Sequence, residues 1–291
     1  MHNKIIRTVL ILLALCAFLG AAGAQSAPTK NDKFEMHPGE TMSVPAAGKW
    51  KSMNDAIAAV DGENITALSE GTCVLEYENA GETLSYELTV DEKAPTELVK
   101  KAISIAREEF TILGGKTLKK ANKYTKWYTK NNNGFGWCGA FVGWCLDTAG
   151  VPMFRVEKAE PVDDALSYAI SEASVGKILT GYTKMERTTN IPRPGYLVIY
   201  SVTKKSYYNI HVGMVSDVQD LGEGKYLLTT IEGNVSNRVK SYQYYYDSTD
   251  EAAEKQENMT ALPKEMQVDE AICYKLHSKD WYIKAFCQTY K

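Results

Sequence analysis

The chain has 291 residues, of which 44% are hydrophobic and 24% are charged, so it is long enough for one or two folded domains with a sizeable core. Its formal net charge is -3 at pH 7, and it has no basic stripe or arginine-rich tract. This charge balance argues against nucleic acid as the main partner.

The first 24 residues have the layout of a secretory signal peptide. A short positive region precedes a continuous apolar run, Val9–Leu19, and small residues follow in an A-x-A arrangement at positions 22–24. The run is too short to span a bilayer comfortably, and no later run approaches that length. We expect cleavage after Ala24, secretion, and no stable membrane insertion of the mature chain. The alternative is a lipid anchor at Cys16, but Leu15 stands where a small residue is expected.

Short β-prone runs alternate with turn residues over positions 32–92. Strands that recur at roughly 8 to 12 residues with such turns predict a small β-sandwich. Four motifs carry a family resemblance: Pro38-Gly39-Glu40, Trp50-Lys51-Ser52, Ile57–Asp61 and Ala67–Thr72. In these motifs the segment resembles a bacterial Ig-like domain of the second type. The resemblance implies a spacer or attachment unit of a secreted or surface protein, and nothing in the segment indicates catalysis.

The second predicted domain, residues 96–291, begins after a charged junction that contains proline. Thr96 is placed to cap a helix that starts at Glu97, because apolar residues then recur near helical spacing until Gly114-Gly115. A buried helix is predicted over the apolar segment Trp137–Leu146, which contains no proline.

A further helix is predicted over Val162–Ala173, and antiparallel strands are predicted for the remainder to Leu276. The acidic stretch Asp247–Glu257 is predicted to be a mobile insertion. Helices that precede strands, rather than alternate with them, predict an α+β domain.

A reactive cysteine thiol needs a base, and the positions of the histidines limit which residue can serve. Of the four in the chain, His2 lies in the leader, His37 in the Ig-like segment and His277 near the C-terminus. Only His211 lies in the strand-rich part of the second domain, within the β-branched alternating run Asn209–Val215. His211 is therefore the candidate base.

A predicted hairpin brings polar groups to His211. The next strand ends in Glu232-Gly233-Asn234, and a strong turn signal around Gly222 separates the two strands. An antiparallel pair with this turn places His211 opposite positions 232–234, where cross-strand Cβ atoms lie roughly 4.5 to 5.5 Å apart. A shift of one residue decides whether Glu232 or Asn234 faces the imidazole, so both remain candidates.

Cys138 is the candidate nucleophile. It lies at the predicted start of a buried helix, where unpaired N–H groups and the helix dipole favour a thiolate. With His211 nearby, the two side chains can exist as thiolate and imidazolium. The Cys138 amide is placed to help bind an oxyanion, and Glu232 or Asn234 can orient His211. This arrangement predicts acyl transfer through a thioester that water resolves.

Four motifs occur in the order and spacing of a known family: Trp137–Val142, Pro192–Gly195, His211–Val215 and Glu232–Ser236. From about Glu97 to Leu276 the chain resembles the CHAP amidase/peptidase domain, whose fold is papain-like. The resemblance implies cleavage of amide bonds in bacterial peptidoglycan. It implies Cys138 as nucleophile, His211 as base, and Glu232 and Asn234 as orienting groups. Tyr196 departs from the family, which usually has an acidic residue at this position.

No cofactor and no metal ion is predicted. His277 lies close to Asp280 in the chain, but two residues without further ligands are too few for a metal site. No acidic cluster precedes Cys138 of the kind that would suggest the calcium site of some CHAP members.

The other cysteines have structural interpretations. Cys145 on the buried helix and Cys73 in the sandwich are predicted to be core residues. Cys273 and Cys287 either form a disulfide that clamps the C-terminus or remain two free thiols.

The favoured function is a cysteine hydrolase of peptidoglycan, either an N-acetylmuramoyl-L-alanine amidase or an endopeptidase. The enzyme is expected to be secreted, either free or associated with the cell wall. A monomer is expected, with peptidoglycan as its partner. The alternative is a cell-wall-binding or adhesive surface protein with a degenerate hydrolase domain. Its support is the departure at Tyr196 and the long acidic insertion. A thiol acyltransferase that acts on a protein could use the same three groups. The bond that is cut, and whether the wall is the producer's own, stay open.

Overall fold

The structure is a computed structural model that describes residues 29, 32–159, 165–202, 209–249, 258–278 and 280–291. The predicted signal peptide lies outside the described residues, as does most of the predicted acidic insertion. Within the described ranges, no helix combines the length and the apolar character that crossing a membrane requires.

The N-terminal part of the described chain consists of strands that form two sheets. These strands are β1 (Lys33–Met36), β2 (Thr41–Ser43), β3 (Lys49–Ser52), β4 (Ala58–Asp61), β5 (Asn64–Ala67), β6 (Gly71–Asn79) and β7 (Glu82–Val90). One sheet has the strand order β1-β7-β6-β3 and the other has the order β2-β5-β4. Both sheets contribute to one hydrophobic core, which includes Trp50, Ile65 and Leu75. The segment is thus largely strands, and its membership of the Ig-like family stays a prediction.

The β6–β7 hairpin shows how the local sequence sets this part of the fold. Alternate residues of β6 are buried, as a strand with one face on a core requires. Ala80 and Gly81 both have positive φ angles, of 50° and 81°, the backbone that a tight two-residue hairpin turn needs. Asn79 therefore pairs directly with Glu82.

Four α-helices lie in the described chain after β7: α1 (Glu97–Leu113), α2 (Lys123–Thr129), α3 (Cys138–Ala149) and α4 (Val175–Lys184). The predicted helix after Thr96 is confirmed, and it ends at Gly114, which adopts the left-handed conformation. The predicted buried helix is α3, in which almost every residue is buried. Asn122 begins α2 with a capping box that pairs it with Thr125.

The helix predicted over Val162–Ala173 is wrong. Residues 160–164 lie outside the described chain, and Ala169–Ile170 form a short strand instead. The backbone N–H of Tyr168 donates to the carbonyl of Thr289, and that of Ala169 donates to the carbonyl of Pro152. Contacts with distant segments therefore override the helical spacing of the apolar residues, and the helix begins later, at Val175.

The remaining strands of the described chain are β8 (Met153–Phe154), β9 (Ala169–Ile170), β10 (Thr188–Thr189), β11 (Leu197–Val202), β12 (Asn209–Gly222), β13 (Lys225–Val235), β14 (Arg238–Asp247), β15 (Met259–Ala261), β16 (Ile272–Cys273) and β17 (Trp281–Cys287). The large sheet has the order β10-β17-β11-β12-β13-β14-β15, with β16 also paired to β14. Helices α1 and α3 pack on β12 and β13. The architecture is mixed, with helices on a mainly antiparallel sheet, and it places the start of α3 beside the centre of that sheet.

The two parts of the chain touch through the last residues. Nε2 of His37 lies 3.0 Å from the carbonyl oxygen of Lys291, and the His37 ring meets the Tyr290 ring edge-on. Arg193 donates a 2.8 Å hydrogen bond from its guanidinium to the carbonyl of Glu92. His37 therefore has a structural environment away from Cys138 and His211.

All five cysteines that the structure describes are free: Cys73, Cys138, Cys145, Cys273 and Cys287. The disulfide between Cys273 and Cys287, one of two predicted alternatives, does not form. The predicted core positions of Cys73 and Cys145 are confirmed. Burial raises the pKa of the Cys145 thiol and of the Cys287 thiol, so both stay protonated and unreactive.

Gly139 lets α3 lie directly against the segment that precedes α4. A Cβ atom at this position would lie 2.2 Å from the carbonyl oxygen of Ala173. We predict that Gly139→Ala lowers the free energy of unfolding by about 1–3 kcal/mol, the usual cost of overpacking, although alanine is the better helix former. The measurement is urea unfolding followed by circular dichroism.

The matched control is Gly176→Ala in α4, where a Cβ atom meets nothing within 4 Å. This variant should be neutral or should gain up to about 1 kcal/mol in stability. Equal unfolding midpoints for the two variants would contradict the packing account.

Candidate active site

Cys138 is the first residue of α3 and is 7% exposed. The first hydrogen bond of the helix runs from the N–H of Phe141 to the carbonyl of Trp137. The amides of residues 138–140 therefore have no acceptor within the helix. These amides and the positive end of the helix dipole stabilise negative charge at the sulfur.

His211 lies between the thiol and a carboxylate. Its side chain interacts with the Cys138 thiol and lowers the pKa of that thiol. Its Nε2 atom lies 2.8 Å from Oε2 of Glu232, which leaves Nδ1 for the side of the sulfur. His211 itself is 6% exposed. The three side chains thus follow one another in the order thiol, imidazole, carboxylate.

Glu232 is completely buried, and both of its oxygens are engaged. Oε1 accepts hydrogen bonds from the Tyr200 hydroxyl at 2.6 Å and from the Thr230 hydroxyl at 2.7 Å. Tyr200 is in turn 2.7 Å from the hydroxyl of Tyr244. Because Oε1 is held from two sides, Oε2 stays directed at His211. These contacts fix the carboxylate relative to the imidazole.

Asn234, the other predicted orienting residue, does not contact His211 in this way. Its backbone is left-handed, with φ of 65°, and its side chain makes no hydrogen bond to any part of the chain that the structure describes. It lies instead at the wall of a cleft beside His211. The predicted set of four therefore divides into three connected groups and one residue at the rim.

The register of the hairpin explains how Glu232 reaches His211. Met214 pairs with Ile231, so Gly213 lies opposite Glu232. A Cβ atom on Gly213 would lie only 2.6 Å from Cγ of Glu232. The glutamate side chain therefore occupies the space above Gly213 and extends to His211, two residues along on the same face of β12.

The electrostatics of the site favour a charged thiol and a charged imidazole. Burial raises the pKa of the Cys138 thiol, but the hydrogen bond and the charge of His211, with the backbone amides of Val212 and Gly139, outweigh it and lower the pKa. Burial lowers the pKa of His211, but its bonds to Cys138 and Glu232 and their negative charges raise it above its usual range. Both shifts favour the thiolate–imidazolium form of the pair.

The pKa of Glu232 follows the same balance. Burial raises it, but the interactions with His277 and with His211 outweigh burial and hold the pKa well below its usual range. A carboxylate that stays charged with no exposure to water needs this many partners.

His277 is a member of the site that the sequence does not predict. Its Nε2 atom lies 2.8 Å from Oε2 of Glu232, the oxygen that also faces His211. Its ring stacks on Trp281, with centroids 4.4 Å apart. The fold directs His277 to Glu232. No short motif marks His277, because it comes from the loop between β16 and β17, far from the other groups in sequence.

A cleft of about 320 Å³ opens beside the two histidines. Its walls include Asn234, Lys240, Tyr242, Lys275 and Trp281. The cleft gives small molecules and ions a path to the rings of His211 and His277.

Comparison with known protein families finds one match in this part of the chain. The CHAP family model matches residues 130–234. The match includes Cys138, His211, Glu232 and Asn234, but it ends before His277 and excludes the N-terminal strands. No curated protein matches the chain. CHAP domains are papain-like, and the match implies an amidase or peptidase function of the peptidoglycan-hydrolase kind.

Gly213→Ala tests whether the space above Gly213 positions the base. The new Cβ would overlap Cγ of Glu232, so the carboxylate must move away from His211. We predict that the rate of Cys138 alkylation by iodoacetamide at neutral pH falls, and that kcat/KM falls by roughly a hundredfold, as for a misplacement of about 1 Å. Circular dichroism should show the fold retained.

Gly136→Ala is the matched control, since its Cβ would lie 3.5 Å from the amide nitrogen of Asn234, an ordinary contact. Its alkylation rate should equal that of the wild type. A Gly213→Ala variant with wild-type alkylation would show that the positioning of His211 does not depend on Glu232.

Proposed function

We propose that the protein is a cysteine hydrolase that cleaves amide bonds of bacterial peptidoglycan outside the cell. The observation that carries the proposal is the arrangement of Cys138, His211 and Glu232 within the CHAP match, in which His211 interacts with the thiol and is hydrogen-bonded to the carboxylate. We assign Cys138 as nucleophile, His211 as acid and base, and Glu232 as the group that orients His211. Export is inferred from the predicted signal peptide.

The geometry supports a two-step reaction. The Cys138 thiolate attacks the amide carbonyl, and the N–H groups at the start of α3 stabilise the resulting oxyanion. His211 then gives its Nδ1 proton to the leaving amine, which leaves a thioester on Cys138. In the second step His211 takes a proton from water, the hydroxide attacks the thioester, and the carboxylic acid product departs. Glu232 stabilises the imidazolium at both stages.

The cleft beside His211 suits an anionic peptide. Lys240 and Lys275 both line it, and neither has a carboxylate partner among the residues described. Stem peptides of peptidoglycan carry free carboxylates, which two lysines can bind. We infer that the stem peptide passes this cleft, with Asn234 at its rim as a substrate contact.

One observation in favour of the alternative, an adhesive protein with a degenerate hydrolase domain, is the departure at Tyr196, and the structure weakens it. Tyr196, the departure from the family pattern, is fully buried and packs on Tyr290, with ring centroids 4.9 Å apart. Tyr196 is accommodated in the core next to the C-terminal residues. The proposed catalytic groups Cys138, His211 and Glu232 still lie together. The N-terminal strands remain free to act as a spacer or attachment unit for such an enzyme.

Mass spectrometry of purified peptidoglycan digested with residues 25–291 tests the proposal. Wild type should release new fragments, and Cys138→Ala should reduce their release by about 10⁴-fold or more, as for the loss of a catalytic nucleophile. Cys145→Ala is the matched control, since Cys145 is buried on the same helix and should retain activity.

The new ends in the fragments identify the bond. Separation of stem peptide from sugar indicates an amidase, and a cut within the peptides indicates an endopeptidase. Full wall-hydrolysing activity of Cys138→Ala would contradict the proposal. Products that carry an added amine would identify an acyltransferase.

A further inference from the structure

Three buried side chains converge on the side of His211 that faces away from Cys138. Nε2 of His211 and Nε2 of His277 each lie 2.8 Å from Oε2 of Glu232, and the three atoms all lie within 4.8 Å of one another. We propose that these residues form a binding site for a divalent transition-metal ion such as Zn²⁺, and that occupancy switches the hydrolase off. Only the second half of this inference rests on the proposed function.

The Nε2 atom of His277 points to a missing ligand. Although it lies 2.8 Å from Glu232, the alignment is not that of a hydrogen bond, so this buried nitrogen has no hydrogen-bond partner among the described residues. The His277 side chain is only 8% exposed. Trp281 and Tyr242 lie against its ring, with centroid distances of 4.4 and 4.2 Å, and hold it in place. A buried nitrogen that is held without a partner is suited to donate its lone pair to a metal.

The three groups suit a metal ion of intermediate hardness such as Zn²⁺. Two imidazoles and one carboxylate form a common zinc ligand set, with bonds of roughly 2.0–2.2 Å that place ligand atoms about 3.3 Å apart in a tetrahedron. The present separations bracket that value, so small side-chain movements complete the site. Tyr200 and Thr230 hold Oε1 of the same carboxylate, as outer hydrogen bonds do in metal sites.

The cleft supplies the entry path and the remaining ligand. His211 and His277 both line it, so an ion can arrive from solvent and keep a water molecule in its fourth position. The ligands come from β12, β13 and the loop before β17, so the ion would also join that loop to the sheet.

Occupancy and catalysis compete for one atom. Metal binding displaces the proton from Nε2 of His211, because the lone pair of that nitrogen forms the metal bond. The imidazole then has a single proton, at Nδ1, and its transfer to the leaving amine would produce an imidazolate. Glu232 also turns from the imidazole to the metal. Both changes oppose the acid step, so the metal-bound enzyme should be inactive until a chelator removes the ion.

Binding is measured first, in the Cys138→Ala background, which removes the thiol as a ligand. Titration calorimetry with Zn²⁺ should give one site per chain, and adding His277→Gln should weaken it by at least about tenfold. Co²⁺ should give visible bands typical of nitrogen and oxygen ligands, without a thiolate charge-transfer band. Cys138→Ala with His37→Gln is the matched control, because His37 is buried elsewhere, and it should bind like Cys138→Ala alone.

Three results would overturn the site. These are loss of Zn²⁺ binding in Cys138→Ala, equal binding with and without His277→Gln, and a thiolate band in the Co²⁺ spectrum, which would assign the ion to Cys273 in the same cleft.

Inhibition is measured separately on the chain that retains Cys138. Zn²⁺ should stop peptidoglycan hydrolysis, and a chelator should restore it. Half-inhibition of His277→Gln, relative to its own metal-free rate, should need at least about tenfold more Zn²⁺ than wild type. Tight Zn²⁺ binding without inhibition would overturn the proposed inhibition but not the proposed metal site. Absence of hydrolysis by the metal-free wild type would count against the proposed function alone.

Discussion

The buried carboxylate of Glu232 is the group on which the active site depends. A charge with no access to water persists only where partners replace its hydration, and here Tyr200, Thr230 and His211 do so. Its negative charge stabilises the imidazolium, and the imidazolium stabilises the Cys138 thiolate. Because water is excluded, each of these attractions is stronger than at a surface.

Two glycines without side chains allow this arrangement, because neighbouring groups pack directly against their backbones. Gly213 leaves the space that the Glu232 side chain fills, and a Cβ on Gly233 would lie 2.4 Å from Cβ of Phe141 in α3. The helix that carries Cys138 therefore lies directly on the strand that carries the carboxylate. The same carboxylate contacts His211 and His277, so the proposed catalysis and the proposed metal binding are alternative uses of one buried charge.

The parts of this structure that could be predicted from the sequence are those set by local pattern. The extent of α1 follows from its apolar spacing and its glycine stop, although Thr96 makes no side-chain capping hydrogen bond. The β12–β13 hairpin follows from its turn and its alternation. Cys138 could be placed near a helix start because the apolar segment without proline begins at Trp137. The choice of Glu232 over Asn234 depends on a one-residue register and on the space above Gly213, which pattern does not show. The strand at 169–170 and the place of His277 depend on partners far along the chain, so no local signal could reveal them.

The pH dependence of Cys138 alkylation in wild type and in Glu232→Gln tests the role of the carboxylate most directly. Glu232 raises the pKa of His211, and the His211 charge lowers the pKa of Cys138. Removing the glutamate charge should therefore let His211 lose its proton at lower pH, and the alkylation profile should move to higher pH. Glu109→Gln, which removes a buried carboxylate paired with Lys123, should leave the profile unchanged. Identical profiles for wild type and Glu232→Gln would contradict the account.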